Sequence, residues 1–329
     1  MSRQPAVLTV TLNAAVDKTY RVEGFCLDRV FRVEAGRVVA GGKGINVARV
    51  LHTLGVPVVA TGFLGGHNGA FILDSLKQEG IPGDFVWTQG ESRVCLAVID
   101  PINGTQTELN EVGPEIHPEE VVALEKKLEA LLPRFDYVTL SGSAPPGVPD
   151  DFHARVIRIG RESGVKVVLD SSGALLRHGV EAIPWMVKPN RAELAAIFGR
   201  EPAGREDALQ MARRLREKGI GIVVVTLGKQ GAIWVSAEGA WFAQPPEVEF
   251  VSAVGSGDSM LAAMLYAVIQ GMSAPDVLRW GVAAGAANAA VFGAGFCTRE
   301  QIEALVPKVR CERLSCRLFA GERRNCHLR

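Results

Sequence analysis

Apolar positions along the chain fall into two rhythms, short strand-like runs and helical stripes. Residues 6–12 are rich in Val, Leu and Thr and predict a strand. Ile45, Val47, Ala48, Val50, Leu51 and Leu54 keep helical spacing and stop at Gly55, a C-terminal cap. A strand at 56–62 and a helix at 68–79, closed by Gly80, follow. From 118 onward the order is regular: helix 118–132, strand 137–141, helix 151–163, strand 165–170, strand 186–189, helices 191–198 and 206–218, strand 220–226. That last run is almost pure Val and Ile, as in parallel strands buried on both faces. A hairpin of 231–236 and 240–243 around Glu238-Gly239 precedes helices 258–270, 274–292 and 299–306.

Two stretches do not alternate with helices. Residues 20–39 hold short strand-like runs broken by Gly24 and Gly36. Runs 93–100 and 105–110 flank Pro101-Ile102-Asn103-Gly104, and Asn-Gly accepts the positive φ of tight turns. Both stretches read as antiparallel and half-exposed. The expected fold is therefore α/β, a mostly parallel sheet with helices on both faces plus a small β-sheet lid. The expected plan is one body at 1–309, lid strands from about 12–39 and 91–112, and a C-terminal tail at 310–329.

Composition narrows the classes. The 329 residues are 47% hydrophobic and 22% charged, which is globular. Lys plus Arg equal Asp plus Glu at 36 each, so no broad basic surface for nucleic acid is expected. The balance hides a division: residues 308–329 are net +5 and the rest about −5. That tail holds Cys311, Cys316, Cys326 and His327, but without a Cys-x-x-Cys pair a zinc site is not expected, and a disordered extension is. The Ala/Gly-rich segment 280–296 contains Asn288 and suits a buried helix better than a membrane span. The chain starts without a secretion signal and its six cysteines lack close pairs, which points to the cytoplasm.

Four motifs carry chemistry. Gly255-Ser256-Gly257-Asp258 opens a helix, where free N–H groups and the helix dipole suit an anion; read alone it is equally a capped helix. Gly41-Gly42-Lys43-Gly44-Ile45-Asn46 also opens a helix and suits a phosphate or polyol, although a glycine turn with a solvated lysine explains it too. It is no Walker loop, because Gly follows Lys43. Asn190 and Glu193, after Lys188, are spaced to face one side of a helical turn; they suit magnesium through water, or a capping box. Thr226-Leu227-Gly228-Lys229-Gln230-Gly231 follows the Val-rich strand, where α/β proteins place ligands. No Gly-x-Gly-x-x-Gly joins the first strand to a helix, which excludes a dinucleotide dehydrogenase.

In this order, over about residues 6–309, the motifs resemble the PfkB branch of the ribokinase-like sugar kinases. The stretches 11–17, 107–111 and 141–147 resemble its hexose-phosphate subgroup. The resemblance implies ATP-dependent phosphorylation of a ketohexose phosphate, fructose 1-phosphate first, with tagatose 6-phosphate and fructose 6-phosphate as alternatives. A sugar-phosphate sensor without activity would ordinarily lack the base, which is present here. The resemblance makes Asp258 the general base, a weak one at a helix start, and the N–H groups of Gly255, Ser256 and Gly257 an anion hole. It gives Asp17, Gly41, Gly42 and Asn46 to sugar hydroxyls, and Lys43, Arg93 and Ser141 to the substrate phosphate. Lys188, Asn190 and Glu193 serve phosphate and magnesium-bound water, Thr226, Gly228 and Gly231 the nucleotide loop, and Asn288 the adenine. ATP with Mg²⁺ is implied, as is a homodimer formed through the lids.

Overall fold

In the computed structural model, which describes residues 4–33 and 36–314, the apolar runs become a ten-stranded sheet covered on both faces. The chain opens with β1 (Val7–Thr11) and crosses to a second, four-stranded sheet through β2 (Ala15–Arg21) and β3 (Gly36–Gly41). Helix α1 (Lys43–Thr53), β4 (Val58–Gly65), α2 (Gly66–Gln78) and β5 (Val86–Thr88) return it to the large sheet. The hairpin of β6 (Arg93–Asp100) and β7 (Thr105–Asn110) completes the small one. Next come α3 (Pro118–Leu131), β8 (Tyr137–Gly142), α4 (Phe152–Glu162), β9 (Lys166–Ser171), α5 (Gly173–Glu181) and β10 (Met186–Val187). Helices α6 (Arg191–Phe198) and α7 (Arg205–Glu217) lead to β11 (Ile222–Thr226), β12 (Ala232–Ser236) and β13 (Gly239–Gln244). The chain continues through α8 (Ser256–Ile269), α9 (Ala274–Ala289), α10 (Arg299–Leu305) and β14 (Arg310–Arg313).

The large sheet runs β14-β13-β12-β11-β10-β9-β8-β1-β4-β5. From β5 to β11 every pairing is parallel, with Val7 of β1 opposite Val58 of β4 and Tyr137 of β8; β12, β13 and β14 are antiparallel. The period of two decides which core each side chain enters. Val168, Met186, Val224 and Trp234 face one core, with Ile45 of α1, Leu261 of α8 and Val282 of α9. Val167, Leu169, Val187 and Val223 face the other, with Leu124 of α3, Ile157 of α4 and Leu209 of α7.

The lid is one sheet, β3-β2-β6-β7, as expected, but it is not wholly antiparallel: β2 pairs β6 in parallel. Its residues 22–33 carry no strand. Three elements lay below the reach of periodicity. β5 has only three residues. α5 shows one short stripe, Leu175, Leu176 and Val180, laid over β9. β14 is Arg-Cys-Glu-Arg, and it moves the end of the body past the expected boundary at 309, since it pairs with β13. Charged side chains are what an edge strand requires, because they discourage pairing with another chain. The rest of the expected tail, 315–329 with Cys316, Cys326 and His327, lies outside the described residues. No helix among the described residues is long and apolar enough to cross a membrane.

Candidate active site

The C-terminal ends of the parallel strands reach one rim. β1 brings Thr11 and leads to Asn13, β8 carries Ser141, β9 Asp170, β10 leads to Lys188, and β11 ends at Thr226. Loops there are the usual ligand sites of an open α/β sheet, since the helix starts also point that way. The lid forms the roof. A cavity of about 440 Å³ between the sheets is lined by Asp17, Arg93, Cys95 and Glu108 from the lid, and by Lys43, Asn46, Asp170, Lys188, Gly255, Gly257 and Asp258 from the body.

Asp258 lies in the first turn of α8 and is 5% exposed. Its Oδ2 accepts a hydrogen bond from Asn46 Nδ2 at 2.9 Å. Burial raises its pKa, against the attraction of Lys43, the Asn46 hydrogen bond and Lys188, while Asp170 adds to the rise. Desolvation outweighs what favours the charged form. Gly255 has φ +76°, and a Cβ there would stand 2.6 Å from that of Ala294, so the turn into α8 requires glycine. The N–H of Ser256 donates to Ala253 O at 3.2 Å, so it is partly spent within the turn. The N–H groups of a helix's first turn lack intrahelical partners, which leaves those near Gly257 for an anion.

Asp17 is the opposing carboxylate. Burial pushes its pKa up to about 6, although Arg49 and Arg93 pull it down. Gly41 does not line the cavity; it lies under Asp17, and a Cβ there would sit 2.1 Å from the carboxyl group. Gly42 does line it.

Beside this cavity lies a smaller polar one of about 150 Å³, lined by Thr11, Asn13, Lys43, Arg93, Ser141, Gly142, Ser143 and Ser172. Thr11 Oγ1, Asn13 Oδ1 and Ser141 Oγ are buried without a protein partner. Two orphaned hydroxyls next to a lysine and an arginine are the donors a phosphate needs. Arg93 is held by the carbonyls of Asn13 (3.3 Å) and Glu111 (3.0 Å).

Asp170, which sequence reasoning missed, is the hub of the positive charges. Its two oxygens face Lys188 Nζ at 3.1 Å and Lys43 Nζ at 3.6 Å. Burial opposes its ionisation, yet Lys188 and Lys43 hold its pKa below the usual range. Asp170 in turn is the main cause that raises Lys43. Its signal was its place: the first polar residue after the apolar run of β9, at the ligand end of a parallel strand.

Asn190 and Glu193 form the capping box of α6. Glu193 N donates to Asn190 Oδ1 (2.9 Å), and Asn190 N to Glu193 Oε2 (2.8 Å). Glu193 Oε1 faces Lys43 Nζ at 3.8 Å. The capping reading is the one observed, and the box leaves Glu193 Oε1 turned toward Lys43. No group of three or more His, Cys, Asp or Glu side chains among the described residues forms an inner metal cage. The donors fit a magnesium ion that keeps its waters and phosphate oxygens.

Thr226, Gly228 and Gly231 line a third cavity of about 660 Å³, with apolar walls from Val248, Phe250, Met260 and Val282 and a floor that includes Gly285 and Ala286 of α9. Asn288, expected near a base, lies behind this cavity rather than in its lining. It is fully buried. Its Nδ2 donates to Val254 O (2.7 Å) and its Oδ1 accepts from Gly295 N (2.7 Å), so it braces the turn that carries Gly255. Asn190, Thr226 and Gly257 line both this cavity and the one beneath the lid, so the two meet at the start of α8.

Residues 10–301 match the pfkB family carbohydrate kinase profile. A 1-phosphofructokinase of Escherichia coli K12 is 37% identical over 314 residues, 94% of this chain and 98% of that protein. One from Rhodobacter capsulatus is 38% identical over 274 residues, 83% and 87% of the two chains. Among solved structures, a Thermotoga maritima protein described as a possible 1-phosphofructokinase superposes with a TM-score of 0.87 at 32% identity, covering 94% of this chain and 100% of that one. Phosphofructokinase-2 of Escherichia coli, solved with fructose-6-phosphate, gives 0.82 at 28% identity, covering 92% and 99%.

Proposed function

The chain belongs to the pfkB family of carbohydrate kinases, and on that premise we propose that it transfers the γ-phosphate of ATP to fructose 1-phosphate, giving fructose 1,6-bisphosphate. The observation that carries the reading is Asp258, a buried carboxylate at the point where a polar cavity beneath the lid meets an apolar one of nucleotide size.

In this reading the substrate's phosphate occupies the small cavity, taking hydrogen bonds from Thr11, Ser141, Lys43 and Arg93. Asp17 and Asn46 hold sugar hydroxyls. ATP lies along Thr226, Gly228 and Gly231, with its base against α9 and its phosphates toward Lys188 and Gly257. Glu193 and Asn190 would hold Mg²⁺ through its waters, and the ion would supply charge neutralisation for the phosphates. Asp258 orients the attacking hydroxyl and takes its proton late in a loose transfer, so a buried carboxylate suffices. Helix α8 directs its free N–H groups and dipole at the moving charge. The lid excludes water, which would otherwise accept the phosphoryl group. We read the compartment as cytoplasmic. A second copy meets the exposed lid face, where Val38 and Leu109 are 44% and 57% exposed.

A coupled ADP assay with fructose 1-phosphate, tagatose 6-phosphate and fructose 6-phosphate tests the substrate; a higher kcat/KM on either of the last two would displace this reading. Asp258→Asn is expected to lower kcat by about 10²–10⁴-fold with little change in KM. Near-normal turnover by that variant would sink the assignment of the base.

A further inference from the structure

We propose that Arg49 is a positioning residue for phosphoryl transfer: it fixes the amide of Asn46 that holds Asp258, and ties that pair to the lid and to the loop behind the α8 turn. The inference rests on Asp258 being the base.

Arg49 sits one turn after Asn46 on α1 and is 4% exposed. All five of its N–H donors are used. Nε and one Nη2 proton bond Glu79 (2.5 and 3.0 Å), the other Nη2 proton bonds Ala40 O (2.8 Å), and Nη1 bonds Asn46 Oδ1 (3.2 Å) and Ala294 O (3.1 Å). The guanidinium also lies 4.4 Å from the ring centroid of Phe296.

This arrangement decides which way Asn46 points. An amide presents a donor on one side and an acceptor on the other, whereas guanidinium only donates. With Arg49 on Oδ1, Nδ2 must face Asp258. Turned over, Asn46 would aim its oxygen at a carboxylate and its NH₂ at a cation. The remaining bonds reach parts that must be in register during the reaction. Ala40 lies in lid strand β3, and Ala294 is the residue that packs against Gly255. A lysine keeps the charge opposite Glu79 but cannot reproduce a planar five-donor fork.

The groups facing Asp258 are Lys43 and Asn46 of α1, Asp170 of β9 and Lys188 after β10, with Asp17 of β2 coupled to it across the cavity. Without Arg49, Asp258 alone holds the Asn46 amide, and the hydrogen bond that favours the charged form of Asp258 is weakened. The acid limb of the kcat–pH profile should then move to higher pH.

The test compares Arg49→Met, Arg49→Lys, Asn46→Ala and the double variants in the full chain, on whichever of the three hexose phosphates the wild type turns over. Arg49→Lys is the informative variant if Arg49→Met does not fold. Expected for the Arg49 variants are a kcat loss of about 10²-fold and an upward shift of the acid limb, whereas Asn46→Ala also raises KM for the sugar whose hydroxyl it holds. On the Asn46→Ala background the Arg49 substitution should move the acid limb no further, because that effect passes through the Asn46–Asp258 hydrogen bond. A further shift on that background, or an unmoved acid limb in the single variant, would overturn the proposal. A crystal structure of Arg49→Lys reads the placement of the amide directly, without any substrate: an Asn46 amide still at its 2.9 Å contact with Asp258 Oδ2 refutes the inference, and an amide displaced from Asp258 supports it. If the wild type phosphorylates none of the three sugars, the proposed function fails, and that structure still decides the role of Arg49.

Discussion

Asp17 shows what a single site residue costs the fold. Burial raises its pKa to about 6, and the glycine beneath it leaves the carboxyl group lying on bare backbone. A raised carboxyl pKa means the folded state prefers the protonated form. Its favourable contribution is therefore full below the unfolded value near 4 and lost as pH rises through about 6. Above that, the charge costs on the order of 3 kcal/mol. Asp17→Asn should raise Tm at pH 7–8 and have little effect at pH 4, while sugar binding is lost; denaturation scans at the two pH values, with substrate titration, check this. An equal Tm change at both would show that titration is not the cause. The identity of such a residue is legible in the sequence, as Asp17, Lys43 and Asp258 were. Its environment is not, because burial comes from elements far along the chain.

Elements were legible where the period is long and strong. The Val-rich β11 and the stripe of α1 kept nearly their expected bounds. The capping box at α6 was visible as Asn190 with Glu193 three residues on. β14 was not, because its four residues make sense only beside β13. There Trp241, Phe242, Ala243 and Gln244 stand opposite Arg313, Glu312, Cys311 and Arg310. Cys311 packs on the core and Arg205 pairs with Glu312 at 2.9 Å. Truncation at 309 should therefore lower Tm by roughly 3–8 °C, as loss of a ladder and its packing predicts. Calorimetry of the truncated chain measures it, and an unchanged Tm would mean the strand adds nothing to the sheet.

Across the whole molecule, several polar contacts join the lid to the body, and two of them lie beside α8 and α9. Ser252 Oγ lies 3.1 Å from Gln106 Oε1 of β7, to which it can donate, and Arg37 Nη1 of β3 donates to Phe292 O at 2.5 Å. Both body residues flank α8 and α9, so the lid is bonded to the segments that lead into α8 and out of α9. Gln106→Ala removes one such contact, worth about 1 kcal/mol or about fivefold in a closure equilibrium. It should raise KM for the sugar by about that factor and increase ATP hydrolysis without sugar. Steady-state assays with and without sugar read both, and unchanged values would show that this contact does not help to hold the lid.

The sequence by itself determined the α/β class, the order of most strands and helices, the separate lid and the family, because periodicity and short motifs are local properties of the chain. It also supplied most of the polar residues around the cavities. The tertiary structure alone decided what those residues do to one another. It put Asp170 between two lysines, made Asn288 a brace of the turn before α8, raised the pKa of Asp258 by burial, and spent every donor of Arg49. Those outcomes depend on distance and desolvation between segments as far apart as Asn46 and Asp258, and no local pattern in a chain encodes either.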